Sequence, residues 1–156
     1  MADPCTERAL KLLTRRPHFR RELEQKLGAK GFEPEAVEAT VARMVELRYL
    51  DEESAVRSFV EQKLRRGPVG RRRLEADLGR RGADQEVARA VLDEILAEDD
   101  REAALEAGRR YTRGRRRDKA SVARHLERKG FSPRAIFSAL DALNSDLRGD
   151  DPAVER

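Results

Sequence analysis

The feature that most constrains this chain is a repeat of roughly fifty residues, visible when the sequence is laid against itself. Leu23, Leu27 and Gly31 are spaced four and four, as are Leu74, Leu78 and Gly82, and again Val122, Leu126 and Gly130. Each glycine precedes a short turn and a new apolar stripe: Val37, Val41 and Val45, then Val87, Val91 and Ile95, then Ile136, Leu140 and Leu143. Spacings of three and four put such residues on one face of a helix, and glycine ends a helix readily because it accepts a left-handed backbone. Upstream of each middle helix lies another helical stretch, marked by Leu10 and Leu13, by Val56, Val60 and Leu64, and by Leu105 and Tyr111.

Each repeat is therefore predicted to hold three helices. The expected fold is all-α, a tandem array of three three-helix repeats forming an elongated, curved rod. The expected divisions are 1–50, 51–98 and 99–147, with a flexible C-terminal tail over 148–156. Pro34 and Pro133 suit the first turns of their helices, while Asp51 and Asp99 or Asp100 suit N-caps opening the second and third repeats. A unit of fifty residues buries too little surface to stand alone, so neighbouring repeats are expected to share core.

Charged residues make up 41% of the chain against 38% hydrophobic, which excludes a membrane-embedded protein. No apolar run approaches the ~20 residues a membrane span needs. A lone Cys5 cannot form an internal bridge, and no signal-type apolar block opens the chain, so the expected location is the cytoplasm.

The charge is concentrated. Residues 65–131 hold 19 Lys/Arg against 13 Asp/Glu, whereas residues 1–64 are balanced at 12 and 12. Within that block, RRGPVGRRRLEADLGRRG combines seven arginines with a Gly-Pro-x-Gly hinge. Arg65, Arg66, Arg80 and Arg81 fall in last helical turns, where the helix dipole favours a cation by ~0.3 to 1 kcal/mol. Arg71, Arg72 and Arg73 fall instead in a first turn, where backbone N–H groups are unpaired and a cation is unfavourable, so an anion from outside is expected to settle there. Aligned copies repeat the pattern: Arg20 and Arg21 begin the first middle helix, and Lys119 the third, with Arg115, Arg116 and Arg117 just upstream. Basic clusters of this kind point to phosphates or an acidic protein surface, although a solvated face also carries charge runs.

Other chemistries lack their residues. GPVGRRRL misses the Lys and Ser/Thr of a phosphate-binding loop, and His18 and His125 have no cysteine partners at metal spacing, so no cofactor or metal is expected. The acidic groups Asp51/Glu52/Glu53 and Asp99/Asp100 sit where helix starts need acids, which favours capping over acid–base catalysis. Phe19, Phe32, Phe59, Phe131 and Phe137 are expected to pack in cores rather than stack on bases, with Tyr49 and Tyr111 open between the two.

Three stretches, ELEQKLGAKGFEPEAV, RYLDEESAVRSFVEQKLRRGPVGRRRLEADLGRRG and DKASVARHLERKGFSPRAI, together resemble the RecX regulators of the bacterial recombinase RecA, in the family's order and over about residues 7–147. The resemblance implies tandem three-helix repeats and a non-enzymatic protein lying in the helical groove of the RecA filament on single-stranded DNA. There it would suppress ATP hydrolysis, strand exchange and stimulated repressor cleavage, and so modulate recombination and the SOS response. It matches Arg66, Gly67, Gly70, Arg71 and Arg72 to the family's basic hinge, and Lys129, Gly130 and Phe131 to its third-repeat turn. The expected contact residues are thus Arg20, Arg21, Arg66, Arg71, Arg72, Arg73, Arg115, Arg116, Arg117, Lys119 and Lys129. They would meet either RecA or DNA phosphates, from a chain monomeric when free. The competing reading is a stand-alone basic helical DNA-binding module or transcription factor, since three-helix units with basic helices resemble helix-turn-helix domains.

Overall fold

The start of every predicted middle helix is a helix start in the computed structural model, which describes residues 2–149. Nine helices and no strands occur among the described residues: α1 Pro4–Arg15, α2 Arg20–Ala29, α3 Pro34–Glu46, α4 Glu52–Arg65, α5 Arg71–Arg80, α6 Gln85–Ile95, α7 Arg101–Thr112, α8 Lys119–Arg128 and α9 Pro133–Gly149. Three helices thus fall in each predicted repeat. The tail expected from 148 begins inside α9, and its residues from 150 onwards lie outside the described residues.

Local chemistry explains the boundaries. Asp3 caps α1 through the Thr6 N–H, Asp51 caps α4 through Ser54, and Asp118 caps α8 through Ser121. Pro34 and Pro133 open α3 and α9, where a missing N–H costs nothing. Gly31, Gly82 and Gly130 close the three middle helices with φ of 91°, 84° and 87°, the left-handed turn a side chain disfavours.

By compactness the chain forms two units, residues 1–62 with 75–92, and residues 63–74 with 93 onwards. The second repeat is shared out between them, so the packing division differs from the division by chain order. In the first unit α1, α2 and α3 enclose Cys5, Ala9, Leu23, Leu27, Val37, Val41, Met44 and Leu50. In the second, α7, α8 and α9 enclose Ala104, Ala107, Val122, Leu126, Phe131, Ala135 and Ala139. Gly108 lets α7 approach α9 closely: a Cβ there would sit 2.9 Å from a Leu143 methyl.

Two core expectations need correction. Met44, not Val45, completes the buried stripe of α3; Val45 is 44% exposed. Phe137 is 76% exposed on α9, while Phe19 and Phe131 are buried as expected and Phe32 and Phe59 are half-buried. Cys5 is buried, with its thiol 3.8 Å from the Ala36 carbonyl, so it serves packing. No described helix is long and apolar enough to cross a membrane.

Candidate partner interface

The predicted contact residues divide between the units. In the first unit Arg20 and Arg21 open α2. The Arg20 N–H donates to Glu52 Oε2 (2.8 Å), and the other oxygen of the same carboxylate accepts from the Asp84 N–H (2.9 Å) ahead of α6. Glu52 therefore satisfies two helix starts at once. The Arg20 guanidinium pairs with Glu24 (3.2 Å), whereas Arg21 is exposed, and its Cβ lies 3.3 Å from where a side chain on Gly82 would begin. A cavity of about 390 Å³ beside them mixes Arg20, Arg21 and Arg48 with Asp51, Glu52, Glu53 and Asp84.

Arg81 does more than a helix-end cation needs to do. Its guanidinium lies 5.3 Å from the ring centres of both Phe19 and Phe59 and bonds Glu22 at 3.2 Å. Glu22 also takes both amino groups of Arg16, at 3.0 and 2.8 Å. Burial pushes the Glu22 carboxyl up, but the Arg16 hydrogen bond and the charges of Arg81 and Arg16 outweigh it and hold the group at about 2. Beside this network His18 is buried between the Arg16 carbonyl and Lys26 Nζ, 3.0 Å from Nε2. Burial, then the neighbouring cations Arg16 and Lys26, keep its pKa below the ordinary histidine value.

In the second unit the hinge brings Gly70 against the turn after α8. The Gly70 N–H donates to the Lys129 carbonyl (2.7 Å), the Arg72 N–H to the Gly130 carbonyl (3.3 Å), and Arg73 Nη1 reaches the Arg128 carbonyl (3.4 Å). The carbonyl end of α8 thus abuts the N–H end of α5, and the opposed dipole ends attract. The carbonyls of Arg128, Lys129 and Gly130 thus take up the Gly70 and Arg72 N–H groups and the Arg73 side chain, part of what an outside anion was expected to meet, while the Arg72 guanidinium stays exposed. Arg71 also pairs with Asp93 at 2.6 Å. The contact depends on two glycines, since a Cβ on Gly70 would lie 2.2 Å from the Gly130 carbonyl carbon, and one on Gly130 would lie 2.2 Å from the Arg73 nitrogen.

The third cluster is also sorted. Arg117 folds onto Tyr111, its guanidinium 4.0 Å from the ring centre and bonded to the Tyr111 hydroxyl and carbonyl. His125 stacks on Tyr111 at 3.8 Å. With a cation against the ring and an imidazole stacked on it, Tyr111 is committed to internal packing. Arg115, Arg116 and Lys119 are exposed around the start of α8, and the Lys129 contribution to the α5 junction comes from its backbone. Arg66 and Arg72 are exposed at the hinge and make no side-chain bond with the described residues.

Arg110 joins the hinge without having been expected there. Its Nη1 lies 3.0 Å from the position a Gly67 Cβ would take, and Glu106 holds its Nε at 2.9 Å. Its sequence signal was present, in the dense arginines from Arg109 onward, but only folding apposes α7 to the hinge. Of the two acids expected to cap α7, Asp100 stands at the N-cap position but its side chain turns to the start of α9 and accepts from the Ser132 N–H (3.0 Å) and hydroxyl (2.9 Å), while Asp99 accepts from the Arg101 N–H.

Above the hinge lies a groove of about 980 Å³. Arg71, Arg72 and Arg134 contribute guanidiniums, Asp93, Glu98, Asp99 and Asp100 contribute carboxylates, and Val69, Leu96 and Ala103 are its half-buried apolar members. Its lining is nearly balanced in charge, with no convergent nucleophile and base.

Known proteins match this arrangement. The first three-helix domain of RecX matches residues 5–44, and the second matches residues 51–92. A regulatory protein RecX of Thermus thermophilus is 42% identical over 131 residues, covering 84% of this chain and 86% of that protein. One from Halorhodospira halophila is 35% identical over 154 residues, covering 93% and 91%. The crystal structure of RecX from Lactobacillus salivarius shares the fold with a TM-score of 0.75 at 19% identity, over 90% of this chain and 95% of that one. Two matched domains and relatives aligned along most of the sequence leave one conclusion, that the chain belongs to the RecX family of regulatory proteins.

Proposed function

We propose that this chain is a non-enzymatic regulator of RecA, working in the cytoplasm as a monomer that settles in the helical groove of the RecA filament on single-stranded DNA. Occupying the groove blocks incoming duplex DNA and opposes the subunit movements of ATP turnover. ATPase, strand exchange and repressor cleavage then fall together. The observation that carries this reading is that both units, in a chain of this family, begin a middle helix with an outward guanidinium that internal bonding leaves unspent, Arg21 in one and Arg72 in the other. Arg66, Arg115, Arg116 and Lys119 extend the same outward set, whereas Arg20, Arg71, Arg73, Arg117 and Lys129 also serve the fold.

The test is RecA ATPase on single-stranded DNA with increasing amounts of this protein. Inhibition is expected, and changing Arg21 and Arg72 together to Ala should raise the half-inhibitory concentration roughly tenfold with unchanged thermal unfolding. Unaltered ATPase at saturating protein sinks the reading. Equal affinity for naked and RecA-coated DNA, with a steep salt dependence, would establish the stand-alone DNA-binding module instead.

A further inference from the structure

The groove above the hinge of the second unit has the wrong charge for a nucleic-acid strand. A polynucleotide presents one sign of charge along its whole length, and the sites that hold it are net positive. Here the carboxylates outnumber the guanidiniums among the lining residues. Internal bonding accounts for much of this charge, since Arg71 pairs with Asp93, Asp99 pairs with Arg101, and Asp100 holds Ser132. Three exposed charges remain, Arg72 on the α5 side, Arg134 on α9, whose charge also acts on the Asp99 carboxylate, and Glu98 on the connection to α7. Half-buried Val69, Leu96 and Ala103 supply apolar surface within the groove. The volume, about 980 Å³, is at the upper end of the range for pockets that enclose a ligand, about 300 to 1,000 Å³.

We propose that this groove receives an extended segment of a protein partner, which sets a carboxylate on Arg72, a basic side chain on Glu98 and an apolar side chain over Val69, Leu96 and Ala103. The proposal rests on the regulator reading and sharpens it: at the hinge the chain grips the protein of the filament rather than its DNA. Opposite charges set in a fixed order fix the direction and register of the bound segment, and the apolar contact supplies burial.

The experiment measures anisotropy of the dye-labelled full chain against RecA-coated single-stranded DNA and against the bare strand, over a salt series. Arg72→Glu and Glu98→Arg are compared with wild type, with Arg72→Gln and Glu98→Gln as milder versions and thermal unfolding as the check on folding. Both reversals should weaken binding to the coated strand roughly tenfold and leave the affinity and salt slope for bare DNA unchanged. Glu98→Arg is decisive, because an added cation tightens a phosphate site. Stronger binding of that variant to bare DNA, with weaker binding of Arg72→Glu, would overturn the proposal in favour of nucleic acid. Tight wild-type binding to coated DNA with all four variants unchanged would overturn the groove alone, whereas no preference of wild type for coated DNA would remove the regulator reading and the groove with it.

Discussion

At the start of α2 the backbone N–H of Arg20 is met by a carboxylate, Glu52 Oε2 at 2.8 Å; at the start of α5 that of Gly70 is met by a carbonyl, Lys129 at 2.7 Å. Both junctions also set a left-handed glycine turn against a basic helix start, Gly82 beside Arg21 and Gly130 beside Arg73. The first junction is made by a side chain that can be removed without moving any backbone. The second is made by two backbones in contact and is limited by volume. One recurring contact between helical repeats is thus held chemically in one unit and sterically in the other.

Glycine substitutions test that difference most strongly. Gly70→Ala and Gly130→Ala each force backbone apart and should cost about 3 kcal/mol or more in urea unfolding. Gly82→Ala meets only the Arg21 side chain at 3.3 Å and adds the strain of a left-handed residue, together about 1 to 2 kcal/mol. Gly31, at φ 91° with nothing within 4 Å, isolates the backbone strain at about 1 kcal/mol. If Gly70→Ala cost no more than Gly31→Ala, the close backbone junction would not exist.

Glu52 tests the chemical junction. Glu52→Ala strips the acceptor from two helix-start N–H groups, and because both lie near solvent the loss should be about 1 to 2 kcal/mol. Glu52→Gln retains one acceptor oxygen and should recover part of it. Thermal unfolding of the two variants beside wild type measures this directly, and an unchanged Glu52→Ala would mean that water replaces the carboxylate without cost.

What the sequence showed of these junctions follows from the range of each signal. Leu23 with Leu27, Leu74 with Leu78, and Val122 with Leu126 are local pairs four residues apart, and all six are buried. The capping acids Asp51 and Asp118 act three residues ahead and were equally plain for Asp51. A spacing of four drifts off a helix face at about 100° per residue, which is why the stripe Val37, Val41 continues to Met44 rather than Val45. Phe137, one residue beyond half-buried Ile136, turns out of the core by the same rotation. The residues expected to make contacts were legible as basic helix starts, but which of them internal bonding takes up was not. The groups that settle α5 are carbonyls of Lys129 and Gly130, and a carbonyl belongs to every residue, so no composition or spacing marks the ones that matter. Glu52 read as a helix-start acid, and its reach to Arg20 and Asp84 depends on contacts 32 residues away in the chain.

The smallest expected effect is on acid stability, and it belongs to the first unit. Glu22 is held at about 2 against an ordinary 4.5, so the folded state resists its protonation more than the unfolded chain does. A carboxyl lowered in this way contributes its full stabilisation above pH 4.5 and loses it as pH falls toward 2. Arg16 is 41% exposed and Arg81 35% exposed, so solvent screens the network and the contribution is on the order of 1 kcal/mol. Glu22→Gln should therefore flatten the decline in stability between pH 4.5 and 2 and leave the stability difference from wild type constant above it. Urea unfolding at stepped pH reads both. A variant whose acid decline runs parallel to wild type would place the acid sensitivity elsewhere, with exposed Asp99, also held at about 2 by the Arg101 side-chain and backbone hydrogen bonds, the next carboxylate to change.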